Sequence, residues 1–157
     1  MEYILKDTDI IFSKTDLKGK ITYVNNDFEK ISEYKKEELY GKPHNIIRHN
    51  FMPKEVFAFL WSEIKKGNEV FAFVINKQKN GGFYWVYTNV SPVIDKDNNI
   101  VAYSSIRVKP NKEGVRKTEE IYKDISKLTS TINYNKLNSV NELFSLLQTN
   151  PEKIKVV

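Results

Sequence analysis

Three long runs of strand-forming residues, separated by turn signals, fill the middle of this 157-residue chain. They cover residues 69–77, 83–94 and 100–108 and are rich in valine, isoleucine, phenylalanine and tyrosine. The turns between them fall at Asn-Gly-Gly, residues 80–82, and Asp-Asn-Asn, residues 97–99. This pattern predicts an antiparallel meander, around which the rest of the chain has to fold.

A second hairpin and a group of helices precede the meander. Residues 10–15 and 21–24 are predicted as short strands joined by a turn in which Gly19 takes a positive φ. A longer helix is predicted over residues 53–66, where one stripe is apolar. Two groups of strands flanking a helical insert predict an α+β domain, with one antiparallel sheet of five strands and helices on one face.

The chain is predicted to divide into three parts. Residues 1–9 form an N-terminal cap, residues 10–109 form the domain, and residues 110–157 form a C-terminal helical extension. Within that extension, helices are predicted over residues 112–128 and 136–147, the second with an apolar face.

Composition excludes several classes of function. With no cysteine, the chain has no disulfide, thiolate nucleophile or cysteine-bound metal site, and two histidines make a multi-histidine metal centre improbable. Only three of the 25 basic residues are arginine, which disfavours nucleic-acid binding. No apolar run is long enough to span a bilayer, no signal peptide is evident and no catalytic motif is recognisable. We therefore expect a cytoplasmic protein that is not an enzyme and does not insert into the membrane.

Side-chain alternation leaves two arrangements of the sheet open. On the first two meander strands, one face carries small residues such as Val74 and the other carries bulky aromatic residues. On the first of these strands, the small face ends in Asn76. If the small face meets the helices, a cavity remains that could hold a flat ligand, with Asn76 as donor and acceptor. If the bulky face meets the helices, no cavity remains. Alternation does not decide between the two.

Motifs in this frame resemble a known family. Residues 10–108 resemble a PAS sensor domain, and the segment GKPHNIIRHNFMPKEVFAFLW is similar to the PAS domain of bacterial aerotaxis and energy-taxis receptors. The segments KNGGFYWVYTNVSPV and YSSIR resemble the same branch. The resemblance implies a PAS fold and noncovalent binding of FAD, whose redox state is sensed. A light-oxygen-voltage photosensor is excluded because its photochemistry needs a cysteine.

The resemblance also implies a set of ligand residues. Arg48, His49 and Trp61 match positions implicated in flavin binding, and Asn25, Asn45 and Asn76 are assigned to the same site. Five of the six have a structural alternative: a surface arginine, a histidine bonded to a backbone carbonyl, a core tryptophan, and cap or turn roles for Asn25 and Asn45. For Asn76 the ligand role is favoured, because a buried amide at the end of a strand needs a partner. Phe51 stands where the family usually has an acidic residue. Of the other polar residues, His44 is predicted to be a turn or cap residue and Arg107 has no assigned role.

The bulky face of the sheet is predicted to serve signalling. It is expected to be either an interaction surface or the seat of a terminal helix, and its residues are Phe71, Phe73, Trp85, Tyr87 and Asn89. The resemblance implies a membrane-bound chemotaxis transducer as the partner, with the protein peripheral to the inner membrane; a homodimer is also considered. The alternative functions are a PAS sensor for heme or a small metabolite, and a cofactor-free interaction module.

Overall fold

The computed structural model describes residues 1–131. The elements follow the order β1 (Ile11–Thr15), β2 (Ile21–Val24), α1 (Asn26–Ser32), α2 (Lys36–Leu39), a 3₁₀ helix (His44–Ile47), α3 (Lys54–Lys65), β3 (Val70–Lys77), β4 (Phe83–Ile94), β5 (Ile100–Val108) and α4 (Lys112–Thr131). The predicted strands and the predicted long helix are confirmed to within a residue at each end. The helix predicted over residues 136–147 lies outside the described residues.

The five strands form one antiparallel sheet in the order β2-β1-β5-β4-β3. The meander is confirmed, and β5 at its end pairs with β1 from the first hairpin, which closes the sheet around a central β5. The helical insert from α1 to α3 connects the two edge strands, β2 and β3. The insert therefore has to cross one face of the sheet to join them.

The main core lies between this insert and the sheet. Phe28 and Ile31 of α1, Leu39 of α2 and Val86 of β4 are fully buried there. Burying each of these side chains stabilises the fold by about 1.5–3 kcal/mol. The N-cap Asn25 sets the start of α1, because its Oδ1 accepts hydrogen bonds from the amides of Phe28 and Phe12.

Helix α4 packs on the opposite face of the sheet. Tyr122 is fully buried, its hydroxyl donates to the Phe73 carbonyl oxygen, and its ring stacks on Trp85 with the centroids 6.4 Å apart. Gly114 allows the start of α4 to approach, since a Cβ there would lie 2.2 Å from the Phe73 ring. At Phe73 and Trp85, the bulky face of the sheet is therefore covered by the terminal helix α4, which is one of its two predicted roles.

Other residues of the bulky face lie outside this contact. Phe71 is 46% exposed and stacks on Tyr87, which is half-buried like Asn89. Of the five residues predicted as a partner surface, these three keep side-chain area open to a partner while α4 is in place. Phe73 and Trp85 would become accessible only if α4 left the sheet.

Candidate cofactor site

A cavity of about 290 Å³ lies between α3 and the sheet. Its helical wall is formed by Phe57, Leu60, Trp61 and Ile64, and its floor includes Val74, Asn76, Thr88 and Val90. These floor residues belong to the small face of β3 and β4, so the arrangement with the small face toward the helices is confirmed. The volume is at the lower end of the range for ligand pockets and suits a planar ring system, with the rest of a larger ligand at the mouth.

Trp61 forms the wall of the cavity near the β1–β2 turn. Its ring meets Tyr103 edge-on, with the centroids 5.4 Å apart at 90°. On its other side it lies against Gly19, where a Cβ would stand 2.8 Å from the ring and where φ is +78°. The glycine is therefore required both for the turn and for the position of Trp61. The ring is half-buried, and Nζ of Lys65 lies over it, 5.6 Å from its centroid.

Among the described residues, two hydrogen-bond donors of the cavity are buried without a partner. They are Nε of Arg48 and Nδ2 of Asn76, and the two residues are joined by a backbone bridge. Oη of Tyr84, which lies opposite Asn76 on β4, is likewise buried without a hydrogen-bond partner; burial raises the pKa of Tyr84, and the neighbouring Asn76 side chain opposes this. The Arg48 guanidinium also lies over the Phe57 ring, 3.8 Å from its centroid, and its burial lowers the pKa of Arg48. An unsatisfied buried donor costs about 1–3 kcal/mol, and a ligand with matching acceptors would remove that cost.

Within residues 1–131, the cavity carries positive charge without a counter-charge. Lys18, Arg48 and Arg107 line it, whereas no aspartate or glutamate is among its lining residues in the described part of the chain. A cavity with cations and no carboxylate favours ligands that carry negative charge. This is the electrostatic character that a diphosphate-bearing ligand would need.

Arg107 and His44 form a polar cluster in the cavity with Ser13. Nη2 of Arg107 donates to Nε2 of His44 at 2.7 Å, and Nη1 donates to Oγ of Ser13 at 3.1 Å. Burial, followed by the charge of Arg107, lowers the pKa of His44 to about 3, so the imidazole is neutral and carries its proton on Nδ1. Burial also lowers the pKa of Arg107 to about 10, which leaves it charged at neutral pH.

These two residues were not assigned to the site from the sequence. Arg107 follows Tyr103 and Ser105 at alternate positions of β5, and all three are buried and line the cavity. Applying the alternation rule to β5 as well as to β3 and β4 would have placed Arg107 there. His44, predicted to be a turn or cap residue, lies in the 3₁₀ helix with its side chain in the cavity wall. No pattern in the sequence indicated that position.

The neutral state of His44 makes the fold sensitive to acid. The folded-state pKa lies below the ordinary value of 6.5, so the stabilisation is complete above pH 6.5 and declines as the pH falls toward about 3. We expect a loss of roughly 2 kcal/mol between pH 6.5 and about pH 4.5, since one pKa unit is ~1.36 kcal/mol and the imidazole of the unfolded chain is already half protonated at pH 6.5. This loss is measured by urea unfolding of the wild type and of His44→Gln at both pH values. The variant lacks the titrating imidazole and should lose less stability in acid. Equal acid sensitivity in the two proteins would contradict this assignment.

Two of the predicted ligand residues do not line the cavity. His49 accepts a hydrogen bond at Nδ1 from the amide of Phe51, and its ring lies 5.7 Å from that of Phe83. Asn25 is engaged by its N-cap bonds and by donation from Nδ2 to the Ile10 carbonyl. Asn25 thus has the cap role that was its alternative, whereas His49 bonds a backbone amide and not the backbone carbonyl that its alternative supposed.

The remaining predicted positions divide between the cavity and its surroundings. Arg48, Trp61 and Asn76 line the cavity together, and Asn45 lies exposed at its rim. Phe51 lies outside the cavity lining and packs edge-on against Trp85, with the centroids 6.4 Å apart. The substitution of the usual acidic residue by Phe51 therefore does not change the lining of the cavity.

Two kinds of site are not found within residues 1–131. No group of three or more histidine, aspartate or glutamate side chains there is arranged to hold a metal ion. None of the helices described in that range combines the length and apolarity that crossing a membrane requires.

Comparison with known proteins identifies the family. The model of the PAS fold matches residues 1–107, which include β1 to β4, all but the last residue of β5 and the whole cavity lining. The chain belongs to the PAS family. The aerotaxis receptor of Escherichia coli K12 is 39% identical to this PAS domain over 122 residues, which are 78% of the chain and 24% of the receptor. The bacterioopsin transcriptional activator of Halobacterium salinarum is 26% identical over 93 residues, 59% of the chain and 14% of the activator.

Solved structures agree with this fold. The LOV domain of the blue-light photoreceptor Aureochrome1 superposes with a TM-score of 0.61 at 17% identity, covering 76% of this chain and 86% of that one. The LOV domain of an Erythrobacter litoralis histidine kinase gives a TM-score of 0.60 at 19% identity, covering 66% and 97%. At these identities the likeness concerns the fold alone. The chain spans about a quarter or less of the two curated relatives described above.

Proposed function

We propose that this PAS domain is an energy-taxis sensor that binds FAD noncovalently and relays its redox state to a signalling partner. The observation that carries the proposal is the cationic cavity, in which buried donors of Arg48 and Asn76 have no partner. Support for the biological role comes from the likeness to the aerotaxis receptor, which covers 78% of the chain.

The side chains that line the cavity suit the parts of FAD. Arg48, at the end of the 3₁₀ helix, would hold the diphosphate through charge-assisted hydrogen bonds. Trp61 would stack on an aromatic ring of the cofactor, and Nδ2 of Asn76 would donate to a polar edge of the flavin. Bound FAD would supply a redox centre that takes up electrons and protons reversibly.

The relay would run through β3. Asn76 faces the cavity and can exchange the positions of its Oδ1 and Nδ2 by rotating its amide when the hydrogen-bonding of the ligand changes. Three residues earlier on the same strand, the Phe73 carbonyl accepts the hydrogen bond from Tyr122 of α4. A strain of β3 at Asn76 would therefore alter the contact between β3 and α4. The cofactor can shift the balance between the two conformations of the domain only by the difference in free energy with which it stabilises them.

The output would be received by another protein. We propose a membrane-bound chemotaxis transducer, contacted through Phe71, Tyr87 and Asn89 and, after movement of α4, through Phe73 and Trp85. The PAS domain itself would then be cytoplasmic and peripheral to the inner membrane. A second copy of the chain on the same face is the alternative occupant, and sedimentation of the purified protein distinguishes the two.

The visible absorption spectrum of the purified protein, before and after incubation with FAD, tests the cofactor. We expect the blue absorption bands of oxidised flavin, which bleach on reduction and return in air. A Soret band would replace this proposal by a heme sensor. A protein that remains colourless after incubation with FAD would overturn it and leave the cofactor-free interaction module.

Two substitutions at the cavity are expected to weaken flavin binding. Arg48→Ala removes a charged hydrogen-bond donor worth about 1.5–3 kcal/mol, so the Kd for FAD should rise roughly 10- to 100-fold. Trp61→Ala should raise it by at least about tenfold through loss of stacking. Arg116→Ala, in the exposed part of α4, is the matched control and should bind as the wild type does. Titration of apoprotein by flavin fluorescence measures all three.

A further inference from the structure

We infer that Arg107 holds the negative charge that the flavin gains on reduction, and so keeps the reduced cofactor in its anionic form. The inference rests on the proposed binding of FAD. It adds the residue whose interaction with the cofactor changes when the cofactor is reduced. Arg107 contributes to the positive charge of the cavity, but the residues proposed above to contact the oxidised cofactor are Arg48, Trp61 and Asn76.

Arg107 is buried in the middle of the sheet. It lies on β5, opposite Ile11 of β1 and Thr88 of β4, and only 5% of its surface is exposed. Removing an ion from water costs several kcal/mol, and proteins normally offset this with a carboxylate. The hydrogen bonds of Arg107 go instead to the hydroxyl of Ser13 and to neutral His44, neither of which is an anion.

In the described part of the chain, the elements packed around Arg107 place no carboxylate in the lining of its cavity. The 3₁₀ helix contributes His44, the residue after it is the cation Arg48, and the β1–β2 turn contributes the cation Lys18. Phe28 of α1 presents its ring 5.6 Å from the guanidinium, and Tyr84 of β4 stays protonated because burial raises its pKa. The counter-charge is therefore expected from a ligand in the cavity that Arg107 lines.

Flavin reduction brings that charge into the cavity. The oxidised ring is neutral; two electrons and one proton convert it to an anion, and a second proton converts the anion to the neutral reduced form. A fixed buried cation favours the anion over the doubly protonated form, because the charge interaction exists only in the anion. Arg107 would thus lower the number of protons taken up with the two electrons from two to one.

The pH dependence of the midpoint potential of the FAD-loaded wild type tests this directly. Dithionite supplies the electrons, and free FAD in the same buffers is the reference, over the acidic range in which it takes up two protons. We expect a slope of about 30 mV per pH unit for the bound flavin and about 59 mV for the free one, since a tenfold change in K is 29.6 mV for a two-electron couple. Equal slopes would overturn the inference.

Variants then assign the effect to Arg107. Arg107→Gln should restore the slope of free FAD and make reduction at least about tenfold less favourable at neutral pH, a shift of ~30 mV. Arg107→Lys keeps the charge and should stay close to the wild type. Arg116→Gln makes the same substitution on the exposed surface of α4, outside the cavity, and should leave the potential nearly unchanged. If Arg107→Gln bound FAD and kept the wild-type slope, Arg107 would not be the responsible residue.

Failure of the inference is distinct from failure of the proposed function. A protein that binds FAD but shows the slope of the free cofactor keeps the proposed function and loses this inference. A protein that does not bind FAD loses both, and the absorption spectrum shows this before any potential is measured. If Arg107→Gln did not fold, the wild-type slope and the Arg107→Lys variant would still decide the outcome.

Discussion

Replacing Val74 with tryptophan should abolish flavin binding while the domain remains folded. Val74 is 6% exposed and forms part of the cavity floor on β3, so a larger side chain there enters the space proposed for the ring. We expect the Kd for FAD to rise at least about 100-fold, which is ~2.7 kcal/mol. Because the added atoms enter an existing cavity, they should cost less stability than overpacking in a filled core.

The control for this change is Val101→Trp. Val101 lies on β5 and is 47% exposed, so the same substitution there adds the same atoms outside the cavity. Titration with FAD and circular dichroism of the three proteins give affinity and folding together. Wild-type affinity in a folded Val74→Trp protein would place the ligand elsewhere.

Replacing Tyr122 with alanine should produce the largest loss of stability. The ring is 1% exposed between α4 and the sheet, where it stacks on Trp85 and donates to the Phe73 carbonyl. Truncating a buried aromatic side chain costs about 3–5 kcal/mol, a large part of the 5–15 kcal/mol typical of a domain. We also expect α4 to become sensitive to limited proteolysis.

Tyr122→Phe separates packing from the hydrogen bond. It keeps the ring and removes only the hydroxyl, so the loss should be about 1–3 kcal/mol, the cost of leaving the Phe73 carbonyl without its donor. Urea unfolding measures both variants. If Tyr122→Ala lost no more stability than Tyr122→Phe and α4 remained protected, α4 would not be held on the sheet by this ring.

The strands were predictable because their signals are local. Turn residues at 80–82 and 97–99 separate β3, β4 and β5 in the sequence, and the alternation of small and bulky side chains is typical of strands in β3 and β4. Which face meets the helices depends on how α3 crosses the sheet, and no local pattern contains that information. The covering of Phe73 and Trp85 by α4 is a tertiary contact of the same kind.

The candidate site was predicted in part for the same reason. Arg48, Trp61 and Asn76 were assigned through a motif and do line one cavity. His44 and Arg107 are 63 residues apart and meet only because β5 pairs with β1, beside which the 3₁₀ helix packs. Buried polar clusters of this kind arise from long-range pairing, which a search for local motifs does not detect.

A structure of the protein loaded with FAD would test the central claim most directly. The cavity between α3 and the small face of β3 and β4 should then contain the flavin ring, with Nδ2 of Asn76 donating to it and Trp61 against an aromatic ring of the cofactor. A flavin bound on the bulky face of the sheet would contradict the account. So would a cavity filled by its own side chains, with FAD bound elsewhere on the protein.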